Sequence, residues 1–333
     1  MNTKPTGKRP TLRTVAEETG FAVATVSRAL ADDPKIAQKT RDEVARVAAR
    51  LNYVPDRAAQ RLRTGRTKVI SVLLNLDHEF LGFSDEILFG VMSALQGTDF
   101  AISVMPETQG PKRFETVQKI VRQQLSDGVI LTQTEPFDDR VRVLSEAGMP
   151  FVTHGRTEFT TPHAWVDFDN EVFARGAVER LVSQGRSRLC MILPDPRYTF
   201  GQHLRYGFLS AVRAAGVEYE LPDEVTLDST PDEIAAFIRK RQAAPNPPDG
   251  HICVGEASAL ATTSALQDCG VRPEIDVSVL TKQASPLFEH VRPQIQTVFE
   301  DLRETGKHLG RLLLERIDGT PPDDLHVLLT PEA

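Results

Sequence analysis

At 333 residues the chain is too long for one ordinary domain, and two or three are expected. No apolar run approaches the ~18 residues of a membrane-spanning helix, and the basic start MNTKPTGKRPTLRT lacks the apolar stretch of a signal peptide. The net charge of −7 hides an asymmetry: residues 1–68 hold more than a third of the lysines and arginines but fewer than one in six of the acidic residues.

A basic head on an acidic body suggests that the head meets a polyanion, the plain alternative being a solvated basic tail. Cys190, Cys253 and Cys269 are scattered, with no C-x-x-C spacing. They fit free thiols in a reducing cytosol and imply no metal site.

The head reads as short helices. TLRTVAEETG has Thr11 as N-cap and Gly20 as its stop. FAVATVSRAL follows after almost no loop, with Val23, Val26, Ala29 and Leu30 at helical spacing before Asp32, Asp33 and Pro34 end the run. QKTRDEVARVAARL is a third helix, and Pro55 disfavours its continuation at Val54. DRAAQRLRTG has helix-forming residues but only Ala58, Ala59 and Leu62 as an apolar side, too little to hold a helix alone in water.

After Lys68 the pattern changes. VISVLLNL, FAISVMP, DGVILTQ and PFVTHGR read as buried strands alternating with helices SDEILFGVMSAL, RFETVQKIVRQQLS and FDDRVRVLSEAG. A second series starts near Asn170, with strands RLCMILP, DGHICVGE and VSVLTK among further helices. HAWVDFDN reads as the break between two doubly wound α/β units with parallel sheets. One more helix, FEDLRETGKHLGRLLLERI, and a strand, LHVLLT, close the chain.

Two helices joined by a tight turn, the second poor in charge, fit a helix-turn-helix whose second helix enters the major groove. Val23 and Ala24 permit close approach to base edges, while Thr25, Ser27 and Arg28 supply hydroxyls and a cation. The alternative is a small helical core element, and both hold at once if Val26, Ala29 and Leu30 face inward.

TLRTVAEETGFAVATVSRAL followed by TRDEVARVAARLNYVPDRAAQRLRTGRTKVI resembles the DNA-binding head and hinge of the LacI/GalR family of bacterial transcriptional regulators. The rest of the chain follows the family order, so the likeness covers essentially the whole sequence. It implies an α/β fold with an N-terminal helix-turn-helix domain and hinge helix, then a two-lobed body like a periplasmic binding protein. Residues 1–54 would be the head, 55–68 the hinge and 69–333 the body. Lobe 1 would hold about 69–166 plus 296–322, and lobe 2 about 168–292 plus the C-terminal strand, joined by three crossovers.

For DNA contact the resemblance implies Thr11, Val23, Ala24, Thr25, Ser27, Arg28, Tyr53, Ala59, Leu62 and Arg63. Leu62 matches a leucine that wedges into the central base step, with Ala59 beside it, and such wedges kink the duplex. Two departures stand out. Ala22 replaces the usual Ser or Thr cap, and Asp56 stands where Asn is common.

Ligands of doubly wound sheets sit beyond the carboxyl ends of the strands. That rule and the family positions together nominate Phe80, Phe83, Arg156, Trp165, Asp169, Asn170, Arg205, Glu256 and Gln283 for the effector, with Arg156 and Arg205 as a facing pair. Ion pairing is the alternative for the arginines. Helix capping is the alternative for Asp169, and packing for Trp165. The segments LNLDHEFLGFSDE, VGEAS and TKQAS depart from the common family pattern; HGRTEF with DFDN is similar to regulators of α-glucoside or oligosaccharide uptake.

The expectation is therefore a cytoplasmic repressor of a carbohydrate operon, released from a palindromic double-stranded operator by a mono- or oligosaccharide. No cofactor, metal, membrane partner or catalysis is expected. Without a C-terminal leucine heptad, a homodimer is expected. The alternative is an activator or corepressor-dependent regulator on the same fold that answers a non-sugar metabolite. An enzyme lacks any nucleophile elbow, P-loop or G-x-G-x-x-G motif, and a secreted sugar receptor conflicts with the basic head.

Overall fold

The computed structural model describes residues 10–54, 61, 64–74, 83–107 and 113–331. The chain divides into two compact units, Met1–Thr67 and Lys68–Ala333.

The first unit carries α1 (Leu12–Thr19), α2 (Val23–Leu30) and α3 (Gln38–Arg50). Thr11 opens α1 with a reciprocal cap: its hydroxyl accepts the Thr14 N–H at 3.3 Å, and the Thr14 hydroxyl accepts the Thr11 N–H at 3.2 Å. Gly20 ends the helix at φ 71°, a left-handed position that glycine fills without a Cβ clash. Ala22 gives α2 no side-chain cap. Val15, Ala16, Val26, Ala29, Val44 and Ala48 form one small core, ringed by half-buried Leu12, Phe21, Leu30 and Tyr53. Arg61 and Thr64 are helical, and the Gly65 N–H donates to the Arg61 carbonyl at 2.8 Å. Ala59, Leu62 and Arg63 lie outside the described residues.

The second unit opens with β1 (Val69–Leu74), α4 (Phe83–Ala94), β2 (Ala101–Pro106), α5 (Arg113–Gln123), β3 (Gly128–Leu131), α6 (Asp139–Glu146), β4 (Phe151–His154) and β5 (Ala164–Phe168). It continues with α7 (Asn170–Ser183), β6 (Arg188–Met191), α8 (Thr199–Ala215), β7 (Glu218–Glu220), α9 (Pro231–Gln242), β8 (Gly250–Cys253), α10 (Glu256–Asp268) and β9 (Ser278–Gln283). β10 (Gln296–Phe299), α11 (Leu302–Ile317) and β11 (His326–Leu329) follow.

The strands form two wholly parallel sheets, ordered β11-β5-β4-β3-β1-β2 and β10-β9-β8-β6-β7. The inner strands carry continuous apolar runs buried on both faces, while the edge strands β2, β7 and β11 are partly exposed. In the first sheet Ile70, Val72, Ile130 and Val152 pack toward α4 and α11, while Leu73, Val129, Leu131 and Phe151 pack toward α5 and α6. The second sheet is covered by α7 and α8 on one face and by α9 and α10 on the other. Helices α4 and α11 cross closely: a Cβ on Gly90 would meet the Arg303 carbonyl oxygen, and one on Gly306 the Ile87 carbonyl oxygen.

Three sequence expectations are corrected here. HAWVDFDN is not a plain break, because Ala164–Phe168 is a strand pairing with β4 and β11. The last long helix does not start at Phe299; Gln296–Phe299 is strand β10, and Asp301 caps α11 by accepting the Glu304 N–H at 2.8 Å. The lobe assignments of the two late strands are exchanged. β10 extends the second sheet beside β9, whereas the C-terminal strand β11 extends the first, aligning Val327 with Val166 and Leu329 with Phe168. Among the described residues the chain passes between sheets twice, at 168–170 and 299–302, rather than three times.

Candidate effector cleft and nucleic-acid interface

On the first unit, helical spacing turns Val26 and Ala29 of α2 into the core and leaves Val23, Ala24 and Arg28 exposed. Thr25 and Ser27 flank this face, half-buried. The Arg28 Nε donates to the Asp33 carboxylate at 2.8 Å. Asp33 is held below the usual carboxylate range, first by the Lys35 backbone N–H and then by Arg28. Thr11 serves as the cap of α1 and Tyr53 packs against the small core, so both have structural work. The outward face is small, apolar and hydroxyl-bearing with one cation, the make-up of a surface that fits base edges.

On the second unit, a cleft of about 710 Å³ of atom-free space, its open mouth included, lies at the carboxyl ends of both sheets. Gln133 and Thr134 follow β3, His154 and Gly155 close β4, and Asp167 lies on β5. Val254 follows β8, Lys282 and Gln283 end β9, and Glu300 follows β10. Phe83 begins α4 and Phe200 lies in the first turn of α8, so an aromatic ring comes from each lobe. Gly155 sits at φ 103°, where a side chain is strained, and a Cβ there would strike the Thr134 hydroxyl. The cleft wall therefore uses glycine to let β3 and β4 end side by side.

The charged groups are tightly matched. Lys282 Nζ lies 2.7 Å from the Glu300 carboxylate, donates to Asn170 Oδ1 at 3.0 Å, and sits 5.0 Å from the Phe168 ring centre. Asp167 pairs with Arg156 at 2.7 Å, although burial raises its pKa. Burial lowers the pKa of His154, favouring the neutral ring. Glu256 accepts the Ala284 N–H at 3.0 Å through one oxygen, and its other oxygen is buried without a partner. Gln133 and Gln283 each carry a buried amide oxygen in the same condition. The lobes also meet directly: the Thr199 N–H donates to the Thr134 carbonyl at 2.9 Å, and Arg113 lies over the Tyr198 ring at 5.5 Å.

The cleft brings together Phe83, Asn170, Glu256 and Gln283 of the nominated set. Phe80 lies outside the described residues. The other four take different positions. Arg156 is committed to Asp167 and Arg205 is exposed on α8, so the facing arginine pair does not form across the cleft. Asp169 caps α7 by accepting the Val172 N–H at 3.0 Å. Trp165 stacks on His326 at 4.8 Å, packing β5 against β11. Lys282 was missed although it adjoins Gln283 at a strand end, and Glu300 was hidden by reading its segment as helix.

A helix-turn-helix unit followed by two parallel α/β lobes with a cleft at the carboxyl ends of their strands defines a ligand-responsive DNA-binding regulator. A model of the lacI family of bacterial regulatory proteins matches residues 11–56, and one of the periplasmic binding protein-like domain matches residues 178–333. The two matches together give the chain the domain pair of a LacI-type bacterial transcriptional regulator.

The HTH-type transcriptional regulator CelR of Thermobifida fusca is 29% identical over 327 residues, 97% of this chain and 96% of that protein. RafR of Escherichia coli, of the same description, is 25% identical over 328 residues, 96% of each. Among solved structures, a complex of the transcriptional regulator CelR with cellobiose matches with a TM-score of 0.69 at 27% identity, covering 97% of this chain and 98% of that one. A lac repressor dimer bound to operator matches in fold with a TM-score of 0.83 at 20% identity, covering 98% of this chain and 97% of that one.

Proposed function

We propose that this regulator is a cytoplasmic repressor that binds a palindromic operator as a homodimer and is released by a small saccharide. One observation carries the effector class: aromatic rings from both lobes flank a cleft where one carboxylate oxygen of Glu256 and the side-chain amide oxygens of Gln133 and Gln283 lack hydrogen-bond donors. A sugar supplies both an apolar ring face and a set of hydroxyl donors. The relative CelR, solved with cellobiose, supports the same class.

For DNA contact we propose the outward face of α2, led by Val23, Ala24 and Arg28, with Thr25, Ser27, Thr11 and Tyr53 at its margins. Ala59, Leu62 and Arg63 complete the proposed set from the hinge. Dimerisation is supported by large apolar side chains left exposed on one face of the first lobe, Phe89 and Met92 on α4 and Val104 on the edge strand β2. No described helix is long and apolar enough to cross a membrane. The saccharide acts by preferring one lobe arrangement, and its differential affinity sets the change in operator affinity.

The test is fluorescence anisotropy of the full-length protein on duplex DNA flanking its own operon, titrated at rising salt and then with a sugar panel. Affinity should fall steeply with salt, and a sugar that raises the melting temperature should release the DNA. A sugar that stabilises the protein yet leaves DNA affinity unmoved would sink the release mechanism. Reporter expression in a deletion strain reads the sign of control.

A further inference from the structure

The charges lining the cleft cancel, with one exception. Arg156 matches Asp167 and Lys282 matches Glu300, each pair at 2.7 Å. Lys282 spends a further donor on Asn170 at 3.0 Å. Burial disfavours a charged His154. Glu256 has no cation within ion-pair distance among the described residues: one oxygen takes the Ala284 N–H at 3.0 Å and the Ser285 hydroxyl at 3.4 Å, and the other, buried, takes nothing. Glu256 is only 3% exposed. It also occupies the first turn of α10, the end of a helix that would otherwise favour an incoming anion.

We infer that this cleft selects an uncharged polyol and discriminates against its phosphate ester, with Glu256 as the specificity-determining residue. The inference rests on the saccharide reading above and names the charge class within it. Hydroxyl groups donate to the open Glu256 oxygen and to the amide oxygens of Gln133 and Gln283. A phosphate monoester brings acceptors and negative charge instead. Sites that hold such groups use arginine or lysine, and no described lining cation is free of an acidic partner. Between two buried or half-buried groups the repulsion of Glu256 and a phosphate is screened less than in open water.

The experiment is calorimetric titration of the full-length protein with matched pairs: glucose, cellobiose, maltose and trehalose, each against its 6-phosphate ester. For any pair that binds, the parent sugar should bind roughly tenfold or more tightly than the ester. Glu256→Gln keeps the shape and removes the charge. It should shrink that gap to about threefold or less, with thermal melting confirming that the variant is folded.

An ester that binds as tightly as its parent overturns the inference, and this comparison needs no variant. A gap that survives Glu256→Gln overturns the role given to Glu256. If only esters bind, the saccharide reading stands and the charge selection alone falls. If no member of any pair binds, the saccharide reading fails and takes the inference with it.

Discussion

Lys282 and Glu300 form a buried ion pair, 2.7 Å from Nζ to carboxylate, that ties the end of β9 to the segment leaving β10 for the first lobe. The pair stands where the chain passes between lobes. Removing one partner leaves a buried charge uncompensated, which costs about 3–5 kcal/mol. Lys282→Met should therefore lower the denaturant midpoint sharply. The double variant Lys282→Met with Glu300→Gln should recover at least half of that loss in a double-mutant cycle. Additive losses would show that the two side chains do not act as a pair.

The crossing of α4 and α11 makes a second prediction. Gly306→Ala places a methyl group against the Ile87 carbonyl, where backbone rather than a flexible side chain must yield. Overpacking of this kind costs about 1–3 kcal/mol. Urea unfolding of Gly306→Ala should show that loss, while Gly176→Ala, whose added Cβ meets nothing within 4 Å, serves as the mild control.

Ala22 starts α2 without a side-chain cap. Ala22→Ser adds an oxygen at the N-cap, and such caps contribute about 0.5–2 kcal/mol. Amide exchange in α2 of the full-length protein should slow by about two- to thirtyfold. Unchanged exchange would mean that the introduced hydroxyl does not reach a free N–H of the first turn.

Burial lowers four histidines, His154, His163, His203 and His251, and all contribute to the acid response. Burial, the largest cause in each case, lowers His163 and His251 from 6.5 to about 4. Between those values the unfolded chain binds more protons than the folded one, so stability falls as pH drops from about 6.5 to about 4 and levels off below. Each group contributes up to about 3 kcal/mol across that window. Denaturant midpoints taken every half pH unit should trace this slope, and His163→Gln or His251→Gln should each flatten it. A pH slope unaltered by both substitutions would exclude these histidines as its source.

The head was legible because its signals are local. Thr11, Gly20 and the 3.6-residue spacing of Val15, Val26 and Ala29 mark helices and core without reference to distant chain. The long buried strands were legible for the same reason, being continuous β-branched runs. β5 and β10 were not, because Trp165, Asp167, Gln296 and Thr297 interrupt the apolar pattern, and each strand has only four or five residues. In the cleft, strand-end reasoning reached Glu256 and Gln283, since position along a strand is a one-dimensional property. It failed on Arg156 because Asp167, eleven positions later, claims that guanidinium, and only the pairing of β4 with β5 brings the two together. The same limit hid Lys282, whose partners Asn170 and Glu300 come from different crossings between the lobes.

The placement of β11 on the first sheet has a consequence for biosynthesis. The five-stranded sheet draws on residues 188–299 alone, whereas the six-stranded one begins at Val69 and is complete only with His326–Leu329. The later sheet closes on one contiguous stretch of chain, while the earlier one waits for its edge to return from the far end. A nascent or truncated chain lacking 326–329 bares the flank of β5, an open template for strand exchange with a neighbouring polypeptide.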